Sequence, residues 1–146
     1  PIEWDPALPR KVVDDGSRLR LGGPAETVGP RIGRWLKAEA LALLDAESRA
    51  LAAAHGIAIA SVAVADPRSR WGSCAADGRL RYSWRLIMAP DDVRRATVAH
   101  EVAHRVYMHH GPEFHALVDV LNGGSVADAR RWLKANGREL HRYRFG

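Results

Sequence analysis

Between residues 30 and 55, apolar side chains recur at the three- and four-residue spacing of a helix (Trp35, Leu36, Leu41, Leu43, Leu44, Leu51), and Gly56 stands where a left-handed residue closes one. Residues 57–65 alternate Ile and Val with small side chains, which predicts a buried strand halted by Asp66-Pro67. Two strand-like stretches, 70–74 and 80–86, flank Ala75-Ala76-Asp77-Gly78 and predict a hairpin turning on Asp-Gly. Upstream, residues 1–28 hold four prolines and little periodicity, with Val12-Val13 and Leu19-Arg20-Leu21 predicting short strands across Asp14-Asp15-Gly16. Downstream, Ala89-Pro90-Asp91-Asp92 opens a helix, its two carboxylates facing the positive end of the dipole, and Gly111-Pro112 closes it with His110 just past the last turn. Val98, Val102 and Val106 recur along it every fourth residue. Residues 112–122 form a further helix carrying Phe114, Leu117, Val118 and Leu121 and capped by Gly123-Gly124. Ser125 opens a last one, with Val126, Ala129, Trp132 and Leu133 on one face, ending before Gly137. The basic tail, 141–146 with Leu140 leading into it, is expected to be flexible.

The face of the valine helix away from its apolar stripe carries the chemistry. His100-Glu101-Val102-Ala103-His104 sets two imidazoles one turn apart, so that they hold one Zn²⁺ together with Glu101 in reach of a water on that metal. With seven histidines and seven glutamates in 146 residues, chance would produce this pattern roughly 0.02 times, so accident is a poor account of it. A surface helix with merely solvated histidines would not also need the start signal and the valine stripe. A catalytic zinc takes three protein ligands and a water. His109, His110 and His115 compete for the third place, with Glu113 or Asp119 as carboxylate alternatives. His110 is preferred, because it follows His104 by six residues, the 1-5-11 spacing of the metzincins. The chain is not a metzincin, since Tyr107 stands where that motif turns on glycine and no methionine follows His110. Cys74 is a rival ligand, as a cysteine is in peptide deformylases, but their Gly-Cys-Leu context is absent.

These ligands predict a zinc hydrolase, most simply a metallopeptidase hydrolysing peptide bonds by attack of a zinc-bound water assisted by Glu101. Tyr82, Tyr107, His109, His115 and several arginines are open candidates for stabilising the oxyanion. Glu113, Asp119 and Asp128 are the nearby carboxylates that could orient the ligand rings. Residues 70–74 have two readings. A strand with Gly72 could lie along the cleft and pair with an extended substrate, since glycine allows close backbone approach, or Trp71 and Cys74 could fill the core with Gly72 at a bulge.

Composition narrows the setting. One chain of 146 residues, 47% hydrophobic, suits a globular domain, and no apolar run reaches membrane-spanning length. The single cysteine rules out an internal disulfide and suits a reducing, cytoplasmic compartment. A start at Pro1 without Met or signal peptide predicts a trimmed fragment. The net charge of +5 comes mostly from arginine, yet no nucleic-acid motif accompanies it, so a nucleic-acid partner is not favoured.

Taken together, Arg70-Trp71-Gly72-Ser73-Cys74, residues 82–90, His100-Glu101-Val102-Ala103-His104, His110 with Phe114, and Arg131-Trp132-Leu133-Lys134 resemble the YgjP-like metallopeptidase family, relatives of the WLM and SprT-like zincins. The resemblance runs from about Pro30 to Leu140. It implies a zincin-like α+β fold, a small antiparallel or mixed sheet packed on the active-site helix with flanking helices and an edge strand bordering the cleft. It also implies one zinc ion on His100, His104 and His110, with Glu101 catalytic. Two features depart from the family pattern: His109-His110-Gly111 and Phe114-His115 replace Asn-His-Ser and Phe-Trp, and the N-terminal β segment is short. The expected organisation is an N-terminal lead-in (1–28), the metallopeptidase domain (29–140) and the basic tail. The expected partner is a peptide or protein substrate. Alternatives are a DNA-associated SprT-like protease or basic nucleic-acid-binding protein, and a zinc amidohydrolase acting on a non-peptide substrate.

Overall fold

The leucine pattern of residues 30–55 folds as a single 27-residue helix, α1 (Val28–Ala54). Gly56 follows it with φ of 66°, a left-handed conformation that costs glycine little. The computed structural model describes residues 1–145. They form two compact units, one of Pro1–Ala38 with the segment from Tyr143, the other of Glu39–Arg142. The architecture is α+β, with two small mixed sheets and four helices. No helix among the described residues is long and apolar enough to cross a membrane.

In the first unit, β2 (Val13–Asp14) and β3 (Leu19–Leu21) pair antiparallel across the predicted turn at Gly16. A third strand, β1 (Ile2–Trp4), lies parallel to β3; three residues are too short to show a period, and the sequence reading missed it. The Arg31 guanidinium donates to the carbonyl oxygens of Arg10 and Gly22, tying the start of α1 to these loops.

In the second unit the predicted hairpin forms from β5 (Gly72–Cys74) and β6 (Arg79–Ser83), which pair antiparallel. Gly78 turns it with φ of 94°. β4 (Ser61–Ala65) adds parallel to β6, so β6 is central and β5 is an edge. The second hairpin strand stops at Ser83 rather than Leu86, because the Ser83 hydroxyl accepts the Arg85 N–H and starts a 3-10 turn over Trp84–Met88. Three helices follow: α2 (Asp91–Ala103), α3 (Pro112–Asn122) and α4 (Ala127–Arg142). The part of α1 from Glu39 onward belongs to this unit, held to the sheet and α2 by the Ser48–Tyr82 hydroxyl pair at 2.8 Å and by Glu47, which accepts from Arg94 at 2.6 Å. The core between them holds Leu44, Leu80, Leu86, Val98, Val102 and Phe114.

Two boundaries depart from the sequence reading for packing reasons. α4 does not end before Gly137. A Cβ there would lie 2.9 Å from the Trp71 indole, so the glycine seats that ring against the helix backbone rather than breaking the helix. The helix then carries Leu140 into the core, where the Arg85 guanidinium donates to its carbonyl at 2.7 Å while pairing with Asp66. Leu140–Arg142 therefore belong to α4; Gly146 of the expected tail lies outside the described residues. α2, in turn, stops at Ala103, so Val98 and Val102 are buried but Val106, beyond its end, is half exposed.

Candidate metal centre

The early stop of α2 is what assembles the site. Past Ala103 the chain tightens into three-residue turns, with Arg105 N–H bonded to the Val102 carbonyl and Val106 N–H to that of Ala103. The Arg105 side chain reaches the carbonyls of Ala58 and Ala76 at 2.7 and 3.1 Å, which holds this turn against the connections of the sheet. His110 thus sits in a loop that doubles back, and its ring faces the two helix histidines. Ligand nitrogens of His100, His104 and His110 lie within 4.8 Å of one another, with ring centroids 4.7 to 5.5 Å apart.

Each ring has a defined support. His104 Nδ1–H donates to the Tyr107 carbonyl at 2.9 Å, which leaves Nε2 with its lone pair free for a metal. Phe114, fully buried on α3, touches all three imidazoles: it stacks on His104 at 4.3 Å and meets His100 and His110 edge-on at 4.9 and 5.1 Å. Burial, and then the neighbouring His104 and His110, lower His100 to about 4. Burial likewise lowers His104. These rings are therefore neutral near pH 7, the form that ligates metal. The Phe114 contact predicts that Phe114→Leu, which keeps an apolar core residue but loses the flat ring, weakens metal binding by about tenfold or more, read by titration against a chelator of known affinity.

Glu101 points to the opposite wall. It is 5% exposed and sits against Gly72 of β5, where a Cβ would meet its Cγ and Oε2 at 2.8 Å. Of the residues read as either cleft strand or core filler, Gly72 gives its close approach to the chain's own Glu101, and Trp71 packs partly buried against the Ala89, Val93, Ala96, Ala129 and Leu140 cluster. Burial pushes the Glu101 carboxyl up to about 7, with Arg70 pulling the other way.

The other candidates lie elsewhere. His109 Nδ1 accepts the Gly111 N–H at 2.9 Å, within its own loop. His115 lies beyond His110, with ring centroids 6.5 Å apart. Asp119 accepts the Val126 N–H, Asp128 pairs with Arg131, and neither these nor Glu113 joins the cluster. Cys74 is outside it too; its thiol faces the Ala75 carbonyl, and burial raises its pKa. Tyr82 is removed from the oxyanion candidates, since it is buried with its hydroxyl on Ser48. The supports that sequence reasoning missed are a main-chain carbonyl, which leaves no trace in residue identity, and the Phe114 ring, read there as helix core and as part of the family pattern but not as a contact of the three imidazoles.

Three imidazoles converging on one point are a donor set that suits zinc. A family model described as YgjP-like, metallopeptidase domain matches residues 10–136, most of the chain. No curated protein and no solved structure gives a match.

Proposed function

This chain belongs to the YgjP-like metallopeptidase family, and from that premise we propose that it hydrolyses peptide bonds with one zinc ion, held by His100, His104 and His110, and with Glu101 as the proton-transferring group. The observation that carries the reading is the convergence of three imidazoles within 4.8 Å beside a carboxyl from the same helix. When bound, the metal supplies Lewis-acid polarisation of the scissile carbonyl and lowers the pKa of water towards ~7.

The protein's part is to place and move one proton. Glu101 takes it from the attacking water as the new C–O bond forms, and delivers it to the nitrogen as the C–N bond breaks. The products are a carboxylate and an amine. The seat against Gly72 fixes this carboxyl, because a single Cβ on the strand would displace it. Gly72→Ala is accordingly expected to leave metal content near that of the parent while hydrolysis falls at least about tenfold, since a 1 Å misplacement can cost up to about a hundredfold; elemental analysis and peptide kinetics on the same preparation read both.

A mass-spectrometric digest of a peptide library by the zinc-loaded chain tests the reading directly. Cleavage that disappears with a chelator and returns with zinc is the expected result. No cleaved peptide with a full complement of metal would sink it, and would turn attention to amides outside peptides.

A further inference from the structure

Next to the metal centre a cavity of about 200 Å³ opens between β5, α2 and α4. Its walls are Val93 and Ala96 of α2, Val126 just before α4, Ala129 and Leu133 of α4, and the Trp71 indole that Gly137 seats. His100 and Glu101 line it too. An apolar cavity of about 150 Å³ takes a benzene ring, so this one has room for a phenyl or a large aliphatic side chain.

Two cations border it. Arg70 and Arg130 line the cavity and are exposed. Neither guanidinium has a hydrogen bond or salt bridge to another described residue, and Arg70 acts on the Glu101 carboxyl only at longer range. On the neighbouring elements Arg131 pairs with Asp128, Arg94 with Glu47 and Asp91, and Arg85 with Asp66; Arg95 and Arg138, which have no such pair, do not line this cavity. An uncommitted guanidinium fork beside an apolar cavity is a receptor for a carboxylate, which it can bind through two parallel hydrogen bonds.

Resting on the peptidase reading, we infer that this cavity receives the residue following the scissile bond, that this residue is large and apolar, and that a carboxylate on it or on its immediate successor pairs with Arg70 and Arg130. The direction of the chain follows from proton transfer. The leaving amine must meet Glu101 to be protonated, and Glu101 is a wall of this cavity. The side chain borne by the amine's residue therefore enters here. The substrates so defined are peptides cut before a C-terminal apolar residue, or before an apolar residue followed by an acidic one.

The test measures binding and cleavage separately. Zinc-loaded Glu101→Gln protein is titrated by fluorescence polarisation with one labelled peptide in three forms: ending Ala-Phe as the free acid, ending Ala-Phe as the amide, and ending Ala-Phe-Asp with only the side-chain acid free. At least one carboxylate form should bind about tenfold or more tighter than the amide. The free acid would mark a C-terminal trimming enzyme, the Phe-Asp form an internal cutter. Replacing Phe by Gly should weaken binding, and the Arg70→Gln/Arg130→Gln pair, both at exposed positions, should erase the preference for acid over amide. Equal binding of acid and amide overturns the inference. So does an acid preference that survives loss of both arginines, because the carboxylate is then ligating the metal. With the unsubstituted zinc-loaded chain, hydrolysis without this selectivity would remove the subsite and leave the peptidase reading intact. The selectivity in binding without any hydrolysis would do the opposite.

Discussion

Glu101→Gln is expected to keep its metal and lose its chemistry, with turnover of a cleaved library peptide falling by about 10²–10⁴, the contribution of a positioned proton-transfer group. Glutamine has the same shape, so it occupies the seat against Gly72 without a new clash, and it does not touch the three imidazoles. What it lacks is an oxygen that can take and release a proton. The substitution should not harm the fold. Burial pushes the native carboxyl up to about 7, from 4.5 in an unfolded chain. Between those values the native state holds the proton more tightly than the unfolded state, so this group's contribution to stability declines as pH rises from about 4.5 through 7. The amide has no such dependence. In metal-free protein, Glu101→Gln should therefore gain on the parent in thermal midpoint across that window, a comparison in which the histidines are common to both. Full hydrolytic activity in the metal-loaded variant would remove Glu101 from the reaction.

The second large effect concerns the third ligand. His104→Ala and His110→Ala should each lower metal affinity by more than the roughly 100-fold that accompanies loss of a partner merely orienting a ligand. His109→Ala should come nowhere near that. The contrast is sharp because His109 and His110 are adjacent, equally available to a sequence argument, and turned to different tasks. One ring faces His100 and His104, while the other accepts a hydrogen bond from Gly111. Equilibrium competition with a chelator, followed by elemental analysis after dialysis, ranks the variants. Tighter retention by His110→Ala than by His109→Ala would exchange their roles.

The cavity beside the metal shows how indirectly a substrate site is written in a sequence. Trp71 and Gly137 are 66 positions apart, and read singly each suggests something else, a core aromatic and a helix stop. Together they make one wall, because the missing Cβ of one is the space the other fills.

Local rules accounted for much of the rest. Pro90 with Asp91 and Asp92 marks the start of α2, Pro112 and Gly123 bracket α3, and Asp77-Gly78 turns the hairpin, since each depends on backbone constraints carried by the residue itself. The four-residue interval between His100 and His104 likewise follows from helix pitch alone. Where reading along the chain failed, a distant group had intervened: Arg105, bonded to the sheet connections, holds the turn after α2, and Trp71 makes Gly137 a contact rather than a stop. Sequence by itself therefore determined which chemical groups exist here and how those within one helix are spaced, because dihedral preferences and pitch act over a few residues. Tertiary structure alone decided that Gly72 is a seat for Glu101 and that Arg70 and Arg130 flank one apolar cavity, and it brought the His110 ring to the two others, because each of these is settled by atoms brought together from parts of the chain that no local rule connects.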